Sequence, residues 1–143
     1  LDPELIILLA SDEDFSVRAS IATREDLLDA DPSGELIRKL ASDEDSNVRL
    51  NMSARREDLL DADPSGEIIR QLASDENKHV REYIAVREDL LDADPSGELI
   101  RQLANDKYKR IRNSILKNEK YSEFLNKKTN ETVLRDYIKL IMS

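Results

Sequence analysis

An all-α, right-handed solenoid of about four helix pairs closed by C-terminal capping helices is the fold this sequence predicts. Three observations predict it. The block Arg-Glu-Asp-Leu-Leu-Asp-Ala-Asp-Pro-Ser-Gly-Glu occurs at Arg24 to Glu35, Arg56 to Glu67 and Arg87 to Glu98, start-to-start spacings of 32 and 31 residues. Pro3, Pro32, Pro64, Pro95 and Gly34, Gly66, Gly97, all the Pro and Gly of the chain, fall at equivalent places near unit starts. Between the blocks, apolar residues recur at helical spacing. Self-similarity at such a period marks stacked supersecondary units that touch only their neighbours.

Aligned on the block, the units run 2–30, 31–62, 63–93 and 94–118, with 119–143 left as a cap. Each unit opens on a helix. Pro suits a first helical turn, and Asp31, Asp63 and Asp94 precede it in position to cap free amides. In the second unit the helix carries Leu36, Ile37, Leu40 and Ala41 on one stripe. A turn at 42–45 follows. A second helix comes next, with Val48 and Met52 one turn apart; Val17/Ile21, Val80/Ile84 and Ile111/Ile115 are its equivalents.

The Asp-Leu-Leu segment then closes the unit. One extra residue lies between Met52 and Glu57 in the second unit. A continuous helix would be rotated there by about 100°, so the insertion belongs in a break. The Leu pair accordingly forms a short separate turn that plugs the seam. At the end of the chain, Thr132 to Ser143 reads as a capping helix with Val133, Leu134, Tyr137, Ile138 and Ile141 on one stripe. Tyr121, Phe124 and Leu125 suggest a degenerate fifth unit beneath it.

Leu-Ala-Ser-Asp, Val-Arg and Ile-Ala, at Leu9 to Asp12, Val17-Arg18 and Ile21-Ala22, recur in the later units at Leu40 to Asp43, Leu72 to Asp75 and Leu103 to Asp106. The pattern resembles the leucine-rich repeat variant and the related HEAT-like α-helical repeats over roughly residues 2–118. That resemblance implies an ARM/HEAT-like superhelix and a binding rather than a catalytic role. It also implies that Asp and Arg six residues apart (Asp12/Arg18, Asp43/Arg49, Asp75/Arg81, Asp106/Arg112) form a structural ladder between helices. In HEAT-like proteins the second helix lines the concave surface. The resemblance leaves two other classes open, a nucleic-acid-acting protein similar to the HEAT-like DNA glycosylases and a bilin lyase or chaperone of the same fold.

Composition narrows the chemistry. Among 143 residues there is no Cys and no Trp, which excludes disulfides, thiolate metal sites and cysteine nucleophiles. A cysteine-free chain fits the cytoplasm. No apolar run approaches the roughly 18 residues of a membrane span. The chain begins at Leu1 rather than Met, as a processed or trimmed fragment would. Net charge is −9, unevenly placed: residues 1–104 hold 12 Lys/Arg against 26 Asp/Glu, or −14, and residues 105–143 hold 10 against 5, or +5. An acidic body repels nucleic acid. The basic run Lys107 to Arg112 reads as solvated surface.

Asp29, Asp31, Ser33 and Gly34 copy the front of an EF-hand loop, as do Asp61, Asp63, Ser65 and Asp92, Asp94, Ser96 with their glycines. The last ligand position is Leu40, Leu72 or Leu103, so the cage lacks its bidentate Glu and helix capping accounts for the same residues. No metal is expected. His79 stands alone, without a nucleophile or second ligand nearby in sequence. Neither catalytic residues nor a cofactor are expected.

Variation among otherwise similar units points to a partner surface. Along the second helices the corresponding positions read Phe15/Ser46/Lys78/Lys109, Ser16/Asn47/His79/Arg110, Ala19/Leu50/Glu82/Asn113 and Ser20/Asn51/Tyr83/Ser114. They define a candidate strip for another protein or domain, carried by Phe15, Leu50, His79, Tyr83, Arg110 and Lys117. The first unit has Ile7 and Leu8 where the second has Arg38 and Lys39. A terminal unit is expected to be polar on its outer side. This apolar patch therefore implies a preceding segment, a homo-oligomer contact or another domain.

Overall fold

A computed structural model describes residues 1–55 and 58–143. Arg56 and Glu57, the first two residues of the middle block, lie outside the described residues. Among the described residues there are twelve α-helices and no strand. The first unit holds α1 (Pro3–Leu9), α2 (Phe15–Ala22) and α3 (Leu27–Ala30); the second α4 (Glu35–Ala41), α5 (Ser46–Ser53) and α6 (Asp58–Ala62). The third holds α7 (Glu67–Ala73), α8 (Lys78–Ala85) and α9 (Leu90–Ala93), and the fourth α10 (Glu98–Ala104) and α11 (Lys109–Leu116). The chain ends in α12 (Glu119–Met142).

Local chemistry explains where these helices start. Asp14, Asp45 and Asn77 each accept a 2.8 Å hydrogen bond from the amide two residues on, capping α2, α5 and α8. Pro3 sits in the first turn of α1 with Asp2 as its cap. The other three prolines do not open helices as the sequence suggested. Pro32 lies in a tight turn closed by the Gly34 amide donating 3.2 Å to the Asp31 carbonyl, and α4 begins only at Glu35. Asp31 still caps α4, its Oδ2 accepting from the Leu36 amide at 2.8 Å and its Oδ1 from the Ser33 hydroxyl at 2.6 Å. Asp63 and Asp94 repeat this arrangement at Ile68 and Leu99.

The glycine in that turn is required twice over. Gly66 has φ +77°, and a Cβ there would stand 2.2 Å from the carbonyl oxygen of Ala93. At Gly34 the same clash, 2.6 Å, is with Ala62. The second and third units thus press a bare backbone against the short helix at the unit's far end.

The second helices form a row, α2 against α5, α5 against α8 and α8 against α11. The first helices pack likewise, α4 against α7 and α7 against α10. Between the rows runs one apolar seam, in which Ile37, Leu40, Val48, Met52 and their equivalents in the third and fourth units are fully buried, while Leu9 and Val17 of the first unit are half-buried. Leu27, Leu59 and Leu90 of the short helices are also fully buried, so each third helix plugs the seam. Burial of one such side chain is worth about 1.5–3 kcal/mol.

The C-terminus departs from expectation. Tyr121 and Phe124 do not begin a fifth unit. Each follows Leu90 and Ala93 by the same 31 residues, Tyr121 is fully buried as Leu90 is, and Gly97 backs onto Phe124 as Gly66 backs onto Ala93. The first turns of α12 are thus the fourth unit's seam plug. Where the other units have Asp-Pro-Ser-Gly, this one has Leu125-Asn126-Lys127-Lys128, and with no Pro or Gly to stop it the helix continues to Met142. The stripe from Val133 to Ile141 is exposed rather than folded over the stack.

Candidate interaction surface

The Asp and Arg six residues apart meet in a specific way. Arg18 Nη1 donates 2.7 Å to the main-chain carbonyl of Asp12 in its own unit. Its Nε and Nη2 reach forward to the carboxylate of Asp43 in the next, at 2.8 and 3.1 Å. Arg49 does the same with the Asp43 carbonyl and the Asp75 carboxylate, at 2.8 and 2.7 Å, and Arg81 with the Asp75 carbonyl and the Asp106 carboxylate, at 2.7 and 2.8 Å. The fork of a guanidinium suits this double duty. Burial alone would push the Asp43 carboxyl up. The hydrogen bond from Arg18, the Asp45 amide and the charges of Arg18 and Arg49 outweigh it and hold it below the usual carboxylate range. Asp106 is lowered by the same balance, with Arg81 and the Tyr108 amide opposing burial.

A second ladder was not legible beforehand. Arg24 and Arg87 each fork onto the carboxylate two residues on, Asp26 and Asp89. Arg55 plays the same part with Asp58 three residues on, so the extra residue of the second unit falls between them. Arg55 also donates to the Ala22 carbonyl at 2.9 Å and to that of Arg24, and Arg87 to that of Arg55. In the fourth unit the Tyr121 hydroxyl takes over, donating to the Arg87 carbonyl and accepting 3.1 Å from the Leu90 amide. Desolvation is the main reason its phenol is pushed up to about 12. A third, smaller set links first helices backward: Lys39 to Ser11, Gln71 to Ser42 at 2.9 Å and Gln102 to Ser74 at 2.9 Å.

With these groups committed to holding units together, the variable side chains of the second helices remain. Positions one, two, five and six of α2, α5, α8 and α11 lie on one helical side. Phe15 and Tyr83 are 45% and 47% exposed, and His79, Arg110 and Lys117 are exposed as well. Leu50 differs, being half-buried against the core. Its neighbour Asn51 is also engaged, donating 2.9 Å to the Ala19 carbonyl across the row. His79 Nδ1 stands 3.8 Å from a carboxylate oxygen of Glu82. Close by, Tyr108 is covered by cations, with Lys78 Nζ 4.8 Å, Lys107 Nζ 5.4 Å and the Arg81 guanidinium 5.6 Å from the ring centre.

Of the EF-hand-like residues, Asp31, Asp63 and Asp94 spend both carboxylate oxygens on the Ser hydroxyl and helix amides of their own turn, Ser33, Ser65 and Ser96 complete those turns, and Asp29, Asp61 and Asp92 are exposed. Among the described residues no group of three or more acidic, His or Cys side chains is gathered to hold a metal ion. Ile7 and Leu8 are both exposed on the N-terminal helix. Among the described residues no helix is long and apolar enough to cross a membrane. No family model, curated protein or solved structure matches the chain.

Proposed function

We propose that this protein is a non-catalytic protein-interaction scaffold, a right-handed α-α superhelix of leucine-rich-repeat-variant or HEAT-like units that offers the row of second helices to another protein. One observation carries the reading. The groups that join units, the Asp–Arg and Arg–carbonyl ladders and the apolar seam, recur from unit to unit, while most exposed side chains of α2, α5, α8 and α11 change along the row, Lys78/Lys109 and Ser20/Ser114 excepted. A surface that varies on a constant frame suits recognition of a non-repetitive partner, and exposed aromatics such as Phe15 and Tyr83 are apt anchors. The non-catalytic part of the reading draws on the employment of the ordered carboxylates in caps and ladders.

Affinity capture with the native chain beside Phe15→Ala/Tyr83→Ala and Arg110→Glu/Lys117→Glu tests this. A protein retained by the native chain and lost with both variants supports the strip; equal retention by all three removes it.

Binding of nucleic acid is the second reading, favoured by Tyr108 amid Lys78, Arg81 and Lys107. The covered ring makes a poor stacking platform, and residues 1–104 carry 26 acidic against 12 basic side chains. A mobility shift at low salt, abolished by Lys107→Glu, would favour it over the scaffold.

A further inference from the structure

The turn and second helix of the fourth unit carry a charge that their counterparts do not. Residues 107–117 hold five Lys or Arg and no carboxylate, whereas 13–23 and 44–54 each hold one cation and two carboxylates, and 76–86 two of each. The change runs against local stability. Lys107, Lys109 and Arg110 crowd the positive end of the α11 dipole, where Asp14 and Asp45 sit in α2 and α5. Departures of this kind from local consistency concentrate at functional sites.

The cations of this surface also lack partners. Arg18, Arg49 and Arg81 are engaged with Asp43, Asp75 and Asp106, and Arg24, Arg55 and Arg87 with Asp26, Asp58 and Asp89. Among the described residues Lys78, Lys107, Lys109, Arg110 and Lys117 form no ion pair, and all five are exposed. α8 packs against α11, so their first residues, Lys78 and Lys109, lie side by side. Tyr108 draws the group together, its ring centre 4.8 Å from Lys78 Nζ and 5.4 Å from Lys107 Nζ. The carboxylates nearby are committed elsewhere: Asp106 holds Arg81, Glu76 stands 3.9 Å from Arg49, and Glu82 stands 3.8 Å from His79.

We propose that this face of α8 and α11 is the docking surface for a short acidic segment of a partner protein, its carboxylates or phosphates seated on Lys78, Lys107, Lys109 and Arg110. The proposal rests on the reading of the second helices as a protein-binding strip and adds the charge of what they bind. Clustered like charges repel one another, and an anion between them relieves that repulsion. Extent favours a peptide over a nucleic acid. Residues 1–77, which supply the units further along the row, hold 20 carboxylates against 8 cations, so a polyanion longer than the two-helix patch runs into repulsion. A segment whose charge ends with the patch does not. Glu82, the only carboxylate in either helix, opposes the bound anion.

Fluorescence anisotropy of the full chain with three labelled probes of equal charge tests this: a short Glu-rich peptide, a phosphoserine peptide and a single-stranded oligodeoxynucleotide. Both peptides should bind more tightly than the oligonucleotide, the tighter of the two identifying the anion, and added salt should weaken both. Lys109→Glu/Arg110→Glu should weaken peptide binding roughly tenfold with unchanged helical circular dichroism, and Glu82→Gln should strengthen it. Lys127→Glu/Lys128→Glu, the same change of net charge placed on α12, should leave it unaltered. Failure of both peptides to bind overturns the proposal, as does equal loss with the α12 pair, which would reduce the effect to net charge. Tighter binding of the oligonucleotide overturns it in favour of nucleic acid. Loss of a captured protein in Phe15→Ala/Tyr83→Ala with neither peptide bound sinks the acidic partner alone and leaves the strip standing.

Discussion

Arg49 belongs to two units at once: its Nη1 donates 2.8 Å to the Asp43 carbonyl while its Nε lies 2.7 Å from Oδ2 of Asp75, 26 residues further on. Cohesion between units therefore depends on an ionic rung as well as on the apolar seam. Breaking a largely buried pair strands the surviving charge. Arg81→Met, which leaves an Asp106 carboxylate only 9% exposed, is expected to lower unfolding free energy by about 3 kcal/mol in urea titration. Arg81→Met combined with Asp106→Leu should recover much of that loss, since neither charge is then left alone.

The same carboxylates set an acid limit. Asp43 and Asp106 are held below the ordinary range because Arg18 and Arg81, with main-chain amides, outweigh burial; Asp31 is lowered chiefly by the Ser33 hydroxyl and then by the Leu36 amide. Each binds protons less readily folded than unfolded. Their stabilisation is complete above the unfolded value of about 3.9 and is lost as pH falls through the lower folded values. Thermal midpoints should be level from pH 7 to about 5 and drop steeply below about 4.

Tyr121 sets an alkaline one. Its pKa, raised by burial to about 12, exceeds the unfolded value of about 10, so its contribution is whole below that value and fades as pH rises toward the folded one. In a spectrophotometric titration a tyrosine should ionise late, near pH 12, and Tyr121→Phe should abolish that late step. The same substitution leaves the buried Leu90 amide without its acceptor and should cost about 1–3 kcal/mol at neutral pH.

Two glycines in identical sequence blocks should respond differently to alanine. Gly66→Ala drives a methyl to 2.2 Å from the Ala93 carbonyl, whereas Gly97→Ala meets the rim of the Phe124 ring at 2.3 Å. Backbone cannot yield as a ring can rotate. Both pay for positive φ, about 1 kcal/mol or more, but Gly66→Ala should be the more damaging by at least another 1 kcal/mol in chemical denaturation.

Much of the architecture was readable because each unit repeats its own chemistry. The apolar spacing located the helix pairs, and the break after Met52 marked the separate plug formed by Leu59. What the residues hid was mostly between units. A spacing of six does not say which oxygen of Asp43 serves which arginine: its carbonyl accepts from Arg49 and its carboxylate from Arg18. Pro32 looks the same in a tight turn as in a first helical turn, and only the positive φ of Gly34 distinguishes them. Arg55 and Arg56 are indistinguishable until the backward reach of Arg55 is seen. For the strip, exposure of Tyr83 could be inferred from helical period, but the half-burial of Leu50 depends on a neighbouring helix that the period does not report.

The guanidinium that grips its own unit and the next makes length an adjustable property of this protein. Excising 63–93 would bring Asp94 to follow Ala62 and present Asp106 to Arg49 in place of Asp75, with every glycine still opposite a compatible surface. Evolution, or an engineer, could therefore shorten or extend the molecule by whole modules without redesigning any junction.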